Sequence, residues 1–316
     1  MRISTSVYMN AAMAGIREQQ AGIARLSAQL AADKRILQPK DDPIAASRAM
    51  ELSASIAQRT QFAANQQQAQ VVLNHEQTVL EGLAGALDRV RGILLGGVSA
   101  ANDLALRQRY AAEMAGLYQE VKDLANMQDS SGRFIFAGYR ETAASLLAPN
   151  TQAPFEHTQT ATAPANAASY GGDANTRSVL IDRNIRLKVT DDLDSTVMRA
   201  GDGVNLDLLQ TLDQIVIDLN DPNVTQATLN TRMAAIQTAI ANLQLIEADV
   251  AARQVQLTEV SSTNTALLNL DKDALGKLQE LDQAAAIVQL RQRETALQAA
   301  EQAFARTAEL NLFSFL

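Results

Sequence analysis

The sequence contains no cysteine, no tryptophan and only two histidines in 316 residues, and aromatic residues make up 4% of it. Without cysteine there is no disulfide framework, no thiolate metal site and no thiol nucleophile, which suits a chain that must stay free of cross-links during transport. His75 and His157 lie far apart in sequence, so a three-ligand zinc site would need several carboxylates, and both are read as solvated. No Walker-type GK[ST], no GxGxxG and no GxSxG occurs, which removes the local signatures of a phosphate cradle and of a strained serine elbow. "TDDLDS" at 190–195 lacks the glycine and the distal glutamate of a calcium-binding EF-hand loop and is read as a solvated loop. No catalytic residue, cofactor or metal is therefore expected, and the chain is not read as an enzyme.

Positive charge is also in short supply. With 35 Asp and Glu against 27 Lys and Arg, the formal charge is -8, so phosphate backbones and anionic lipid headgroups are repelled and neither nucleic acid nor membrane is an expected partner. "MRISTSVYMNAAMAG" holds no continuous apolar stretch, and no run of about 18 apolar residues occurs elsewhere. Neither a cleaved signal peptide nor a membrane span is expected.

What the sequence does have is helical periodicity. Ala and Leu dominate a 47% hydrophobic content, which favours long helices. Met9, Ile16, Ile23, Leu30 and Leu37 recur every seven residues, the spacing of a coiled-coil stripe. "LQPKDDPIAA" interrupts the series, because Pro39 and Pro43 disfavour helix at the residue before each. Asp41 and Asp42 stand there as cap acceptors, and Pro43 suits a first helical position because it has no amide hydrogen to leave unpaired.

Leu73, Leu80, Leu87 and Leu94 form a second series, expected to break at "LLGGVSAAND"; Tyr110, Met114, Leu117, Val121 and Leu124 form a third. Leu229, Met233, Ile236, Ile240, Leu243, Val250 and Leu257 continue the register, and Leu290, Leu297 and Phe304 resume it. One glycine and no proline between Thr225 and Leu310 predict a nearly continuous helix of about 80 residues, roughly 120 Å long.

Between these arms, "RFIFAGY" and "SVLIDRNIRLKV" replace the heptads, and Ile181, Ile185, Leu187 and Val189 keep mostly the two-residue spacing of a half-buried strand. The expected fold is mainly α: a coiled-coil-like helical rod built from N- and C-terminal segments, with a small β-rich domain inserted in the middle. Residues 1–42 with 280–316 form a terminal assembly region, 43–130 with 204–279 a helical rod domain, and 131–203 the inserted domain.

"MRISTSVYMN", "QPKDDPIAASRAM", "SSGRFIFAGY" leading into "APF", and the terminal "ELNLFSFL" resemble, in that order, the flagellin-like hook-associated protein 3 family of bacterial flagella. Lys40 stands where that family commonly has Ser. The resemblance implies a structural protein of the hook-filament junction, secreted through the flagellar type III export channel. It also implies four partners: the preceding hook-associated junction protein, flagellin, further copies of the chain in a ring, and an export chaperone. Flagellin shares the paired terminal helices and is the nearest rival, but its hinge usually reads "KDDAAG" and its end differs from "LFSFL". A secreted helical adaptor is a further alternative.

The heptad stripes independently point to a polymerising subunit. Burial of Leu312, Phe313, Phe315 and Leu316 gains about 6 to 12 kcal/mol at most. Ordering six backbone residues costs about 1 to 2 kcal/mol each. The near balance predicts that this end packs mainly on other chains.

Overall fold

The computed structural model describes residues 5–100, 103–146, 153–160, 168–199 and 207–313. Two compact units share the chain, one of Met1–Arg59 with Ala266–Leu316, the other of Thr60–Thr265. The fold is mainly α with small β pairs in the middle of the sequence.

In the first unit, α1 (Thr5–Ala32) packs on α6 (Gln283–Phe313). Each helix presents one stripe, so the core is thin: Leu26 and Ala286 are buried, whereas Met9, Ile16, Ile23, Leu30, Leu290, Leu297 and Phe304 are half-buried. The same unit holds the start of α2 (Pro43–Ser99), which buries Ala45, Ala46 and Ala49, and the end of α5 (Gln226–Gln279).

The second unit has the thick core. Leu73, Leu80, Leu87 and Leu94 of α2 are fully buried with Met114 and Val121 of α3 (Leu104–Ala125), Leu212, Ile215 and Leu219 of α4 (Leu208–Asn220), and Leu229, Ile236, Leu243 and Val250 of α5. Asp103 caps α3, accepting from the Leu106 amide at 3.0 Å, and Asp207 caps α4, accepting from Leu209 at 2.9 Å. The heptad series does not reveal α4; in its sequence, "LLQTLDQIVIDLN", apolar residues crowd one face of a short helix.

Of two expectations about helix ends, one is met and one is corrected. The break expected at "LLGGVSAAND" is there: α2 runs through Gly96 and Gly97, ends at Ser99, and α3 starts at Leu104. The glycines serve packing: a Cβ at Gly96 would stand 2.7 Å from the Tyr110 ring, and one at Gly97 would stand 2.7 Å from Leu219. The C-terminal helix is divided, since α5 stops at Gln279 and α6 starts at Gln283. Sequence hides this break because neither proline nor glycine makes it. The end of α5 is met from outside: the Arg35 amide donates to the Gln279 carbonyl at 2.8 Å and the Arg35 guanidinium to that of Leu278 at 3.2 Å. Asp282 restarts the helix by accepting from the Ala285 amide at 2.9 Å.

The strands form two antiparallel pairs, β1 (Phe155–Glu156) with β2 (Ser169–Tyr170) and β3 (Ser178–Asp182) with β4 (Ile185–Lys188). Ile181, Leu187 and Val189 turn inward as the two-residue spacing requires. "RFIFAGY" makes only an isolated bridge between Gln128 and Phe134, yet Phe134, Ile135, Phe136 and Ala137 are all buried. The turn that follows needs Gly138, whose φ is +65° and whose missing Cβ leaves room for Asp173.

Candidate assembly surface and hinge

The segment between α1 and α2 is where the first unit concentrates its polar bonds. After α1, Asp33 adopts a left-handed conformation with φ of 50°, and its carboxylate accepts from Gln283 Nε2 at 2.7 Å. Asp41 Oδ2 accepts from the amides of Gln38 at 2.9 Å and Leu37 at 3.2 Å, closing a local turn around Pro39. Asp42 Oδ1 accepts from the Ala45 amide at 3.0 Å, which places Asp42 at the N-cap and Pro43 in the first turn of α2. Arg35 links the two ends, with its guanidinium 3.3 Å from Asp42 and its amide on the end of α5. Hydrogen bonds from backbone amides, Gln38 for Asp41 and Ala45 for Asp42, hold both carboxyls below the usual aspartate range.

Beside this turn lies an open cleft of about 280 Å³ lined by Ile36, Leu37, Pro39, Ala46, Ala49 and Met50. Leu37 stands at its edge, 37% exposed and off the α1 stripe, because α1 ends at Ala32. Met9, Ile16, Ile23 and Leu30 of α1 and Leu290, Leu297 and Phe304 of α6 are thus half-buried on two helices that pack together, and Leu37 lies with the hinge. Leu312 and Phe313 belong to the last turn of α6, but their side chains lie outside the described residues, as do Phe315 and Leu316 entirely.

Exposed apolar groups cluster near the same elements: Ile44 and Met50 on the first turns of α2, Val7 and Met13 on α1, and Ile287 and Val288 on α6. Sequence periodicity misses them because they fall outside the heptad stripes.

Two sequence readings of polar residues are overturned. His157 is buried, not solvated: its Nδ1 lies 2.7 Å from the Tyr118 hydroxyl, and its carbonyl accepts from that hydroxyl and from Lys122 Nζ. His75 is half-buried. Burial, with Asp213 and Asp207 nearby, pushes the Tyr118 hydroxyl up to about 12. "TDDLDS" is likewise no solvated loop: Asp191, Leu193 and Asp194 are buried, and Asp194 to Met198 form a π-helical turn. Arg253 of α5 pairs with Asp191, and Asp194 with Arg199 at 2.8 Å. Among the described residues no group of three or more His, Asp or Glu could hold a metal ion, and no helix is long and apolar enough to cross a membrane.

The described residues thus form a helical pair of α1 and α6, a capped turn, and a helical core with small β pairs. Residues 3–141 match the family model of the bacterial flagellin N-terminal helical region. The relatives along the whole chain are more particular. Flagellar hook-associated protein 3 of Escherichia coli (strain K12) is 27% identical over 336 residues, covering 99% of each chain. The protein of that name from Salmonella typhimurium (strain LT2) is 26% identical over 330 residues, again covering 99% of each. The crystal structure of the flagellar junction protein FlgL from Legionella pneumophila superposes with a TM-score of 0.60 at 16% identity, covering 73% of this chain and 99% of that one. The chain is thus similar along its whole length to flagellar hook-associated protein 3, the resemblance its motifs indicate.

Proposed function

We propose that this chain is a structural, non-catalytic subunit of the bacterial flagellum that forms the junction between hook and filament, is exported by the flagellar type III system, and assembles through its terminal helices. The carrying observation is the match to hook-associated protein 3 over 99% of both chains, which the flagellin region at 3–141 alone would not give. The assembly region is residues 1–42 with 280–316, the helical body 43–130 with 204–279, and the insertion 131–203. Half-buried stripes on α1 and α6 leave apolar surface for neighbouring copies in a ring, for the preceding hook-associated protein on one side and for flagellin on the other. An export chaperone covers the same surfaces before secretion. Pro39, Asp41, Asp42 and Pro43 set the angle at which the assembly region leaves the body.

The test is the position of the protein in motile cells. Labelled antibody should mark one spot per flagellum, between hook and filament, and deletion of the gene should release unpolymerised flagellin into the medium. Label along the whole filament would make the chain a flagellin instead.

A further inference from the structure

The second unit buries an ionic cluster that the assembly reading does not use. Glu76 of α2 is 0% exposed, and Asp191, just after β4, and Arg253 of α5 are each 6% exposed. Glu76 Oε1 accepts from the Asp191 amide at 2.7 Å. Glu76 Oε2 is shielded from solvent without a hydrogen bond among the described residues, and Arg253 is 4.0 Å from it. That guanidinium is already engaged, by the Asp191 carboxylate, by Asp249 at 3.0 Å and by the Lys188 carbonyl at 3.2 Å. Lys188 Nζ, from β4, pairs with the other oxygen of Asp191.

The charges do not balance. Lys188 and Asp249 sit toward solvent, with side chains 39% and 57% exposed, and offset each other. Inside remain two carboxylates against one guanidinium. An oxygen of an ionised carboxylate that is buried without a hydrogen bond beside a second carboxylate, with only a distant and already engaged guanidinium, is costly, and one proton on it removes most of that cost.

We propose that Glu76 carries this proton in the folded protein at neutral pH, and that its ionisation as the pH rises loosens the β3–β4 excursion from α2 and α5. The excursion is attached to α2 through Glu76 and through Gln66 and Asn65, which donate to the carbonyls of Ile181 and Leu180 at 2.8 Å each. Its polar attachment to α5 is through Arg253, which donates to the Lys188 carbonyl at the end of β4. Ionised Glu76 would repel Asp191 and compete with it for Arg253, disturbing both attachments at their shared point.

Burial first, and the Asp191 charge second, push the Glu76 carboxyl up to about 8, against the partial offset from Arg253 and Lys188. Because the folded state prefers the protonated acid, this contribution to stability is complete below the unfolded value near 4.5 and is lost as pH rises through about 8.

Infrared spectroscopy of the full chain with labelled glutamate tests the proton directly. A protonated-carboxyl band should be present at about pH 7, absent in Glu76→Gln, and lost by about pH 9. Asp191→Asn removes the like charge and should move that loss to lower pH. Over about pH 6 to 9, hydrogen-exchange protection of amides 178–189, corrected for intrinsic rates, should fall about tenfold or more in the wild type and less than about threefold in Glu76→Gln. Absence of the band in the wild type at about pH 7 overturns the proposal even if the variants do not fold. Equal pH dependence in the wild type and Glu76→Gln overturns the coupling to the excursion.

Discussion

At the residue scale, Asp42 shows how a single carboxylate can define where a helix begins. It accepts from the Ala45 amide and faces the Arg35 guanidinium, so one side chain caps α2 and meets the residue that closes α5. Asp42→Ala should leave the α2 core intact but raise hydrogen exchange severalfold in the first turn, at residues 45 to 47, with little change at 73 to 94. The pH dependence has a definite sign. The Asp42 carboxyl is depressed below its ordinary value of 3.8, so its contribution is present above that value and lost as pH falls through the depressed one. Acid titration followed by exchange at Ala45 should therefore show fraying only below about pH 4, and the variant should show no such step. Asp42 was legible in sequence because capping depends on neighbours three residues away. Arg35 was not, because its acceptors lie at Leu278 and Gln279.

At the element scale, α2 and α5 differ in what ends them. α2 ends at Ser99, inside "LLGGVSAAND", while Gly96 and Gly97 still lie within the helix, where their missing side chains let Tyr110 and Leu219 approach. Gly97→Val should destabilise the second unit by about 1 to 3 kcal/mol through overpacking against Leu219, measured by chemical denaturation. Unchanged stability would show that α4 yields at that point. α5 shows the reverse: its sequence favours helix throughout, but Arg35 takes its terminal carbonyls and Asp282 begins a new helix. Local propensity is a weak prior wherever a distant donor competes for a helix end. The strand pair β3–β4 was legible from alternation, whereas "RFIFAGY" was not strand, because its buried aromatics pack without a continuous partner ladder.

At the scale of the whole molecule, the contrast between the units sets the expected behaviour of the protein in solution. The stripes of α1 and α6 are half-buried, while residues such as Leu73, Leu80 and Leu87 are fully buried. Limited proteolysis of dilute monomer should trim residues 1–35 and 290–316 well before 60–125, since local opening is easiest where few apolar groups are buried. Equal protection of these segments would place the terminal stripes in a closed monomer core. The double substitution Phe313→Ser with Phe315→Ser should leave the melting temperature of the monomer within about 1 °C, by analogy with exposed positions. In cells it should abolish or sharply reduce filament attachment while secretion continues. A clear fall in melting temperature would put these rings in the monomer's own core and remove them from assembly.

The sequence by itself determined the mainly helical class, the β character of 178–189 and the restart of helix at Asp42 and Pro43, because each depends on periods or caps spanning a few residues. The order of its motifs also indicated the relatives it has. Only the tertiary structure decided that α5 and α6 are separate helices, that His157 and the Asp191 loop are buried, and that Glu76 shares one site with Asp191 and Arg253. Glu76 and Asp191 stand 115 positions apart and Asp191 and Arg253 stand 62 apart, so no local pattern connects them. Each charge looks like an ordinary surface residue in its own segment. Desolvation, which makes their pairing consequential, exists only once the elements carrying them have packed.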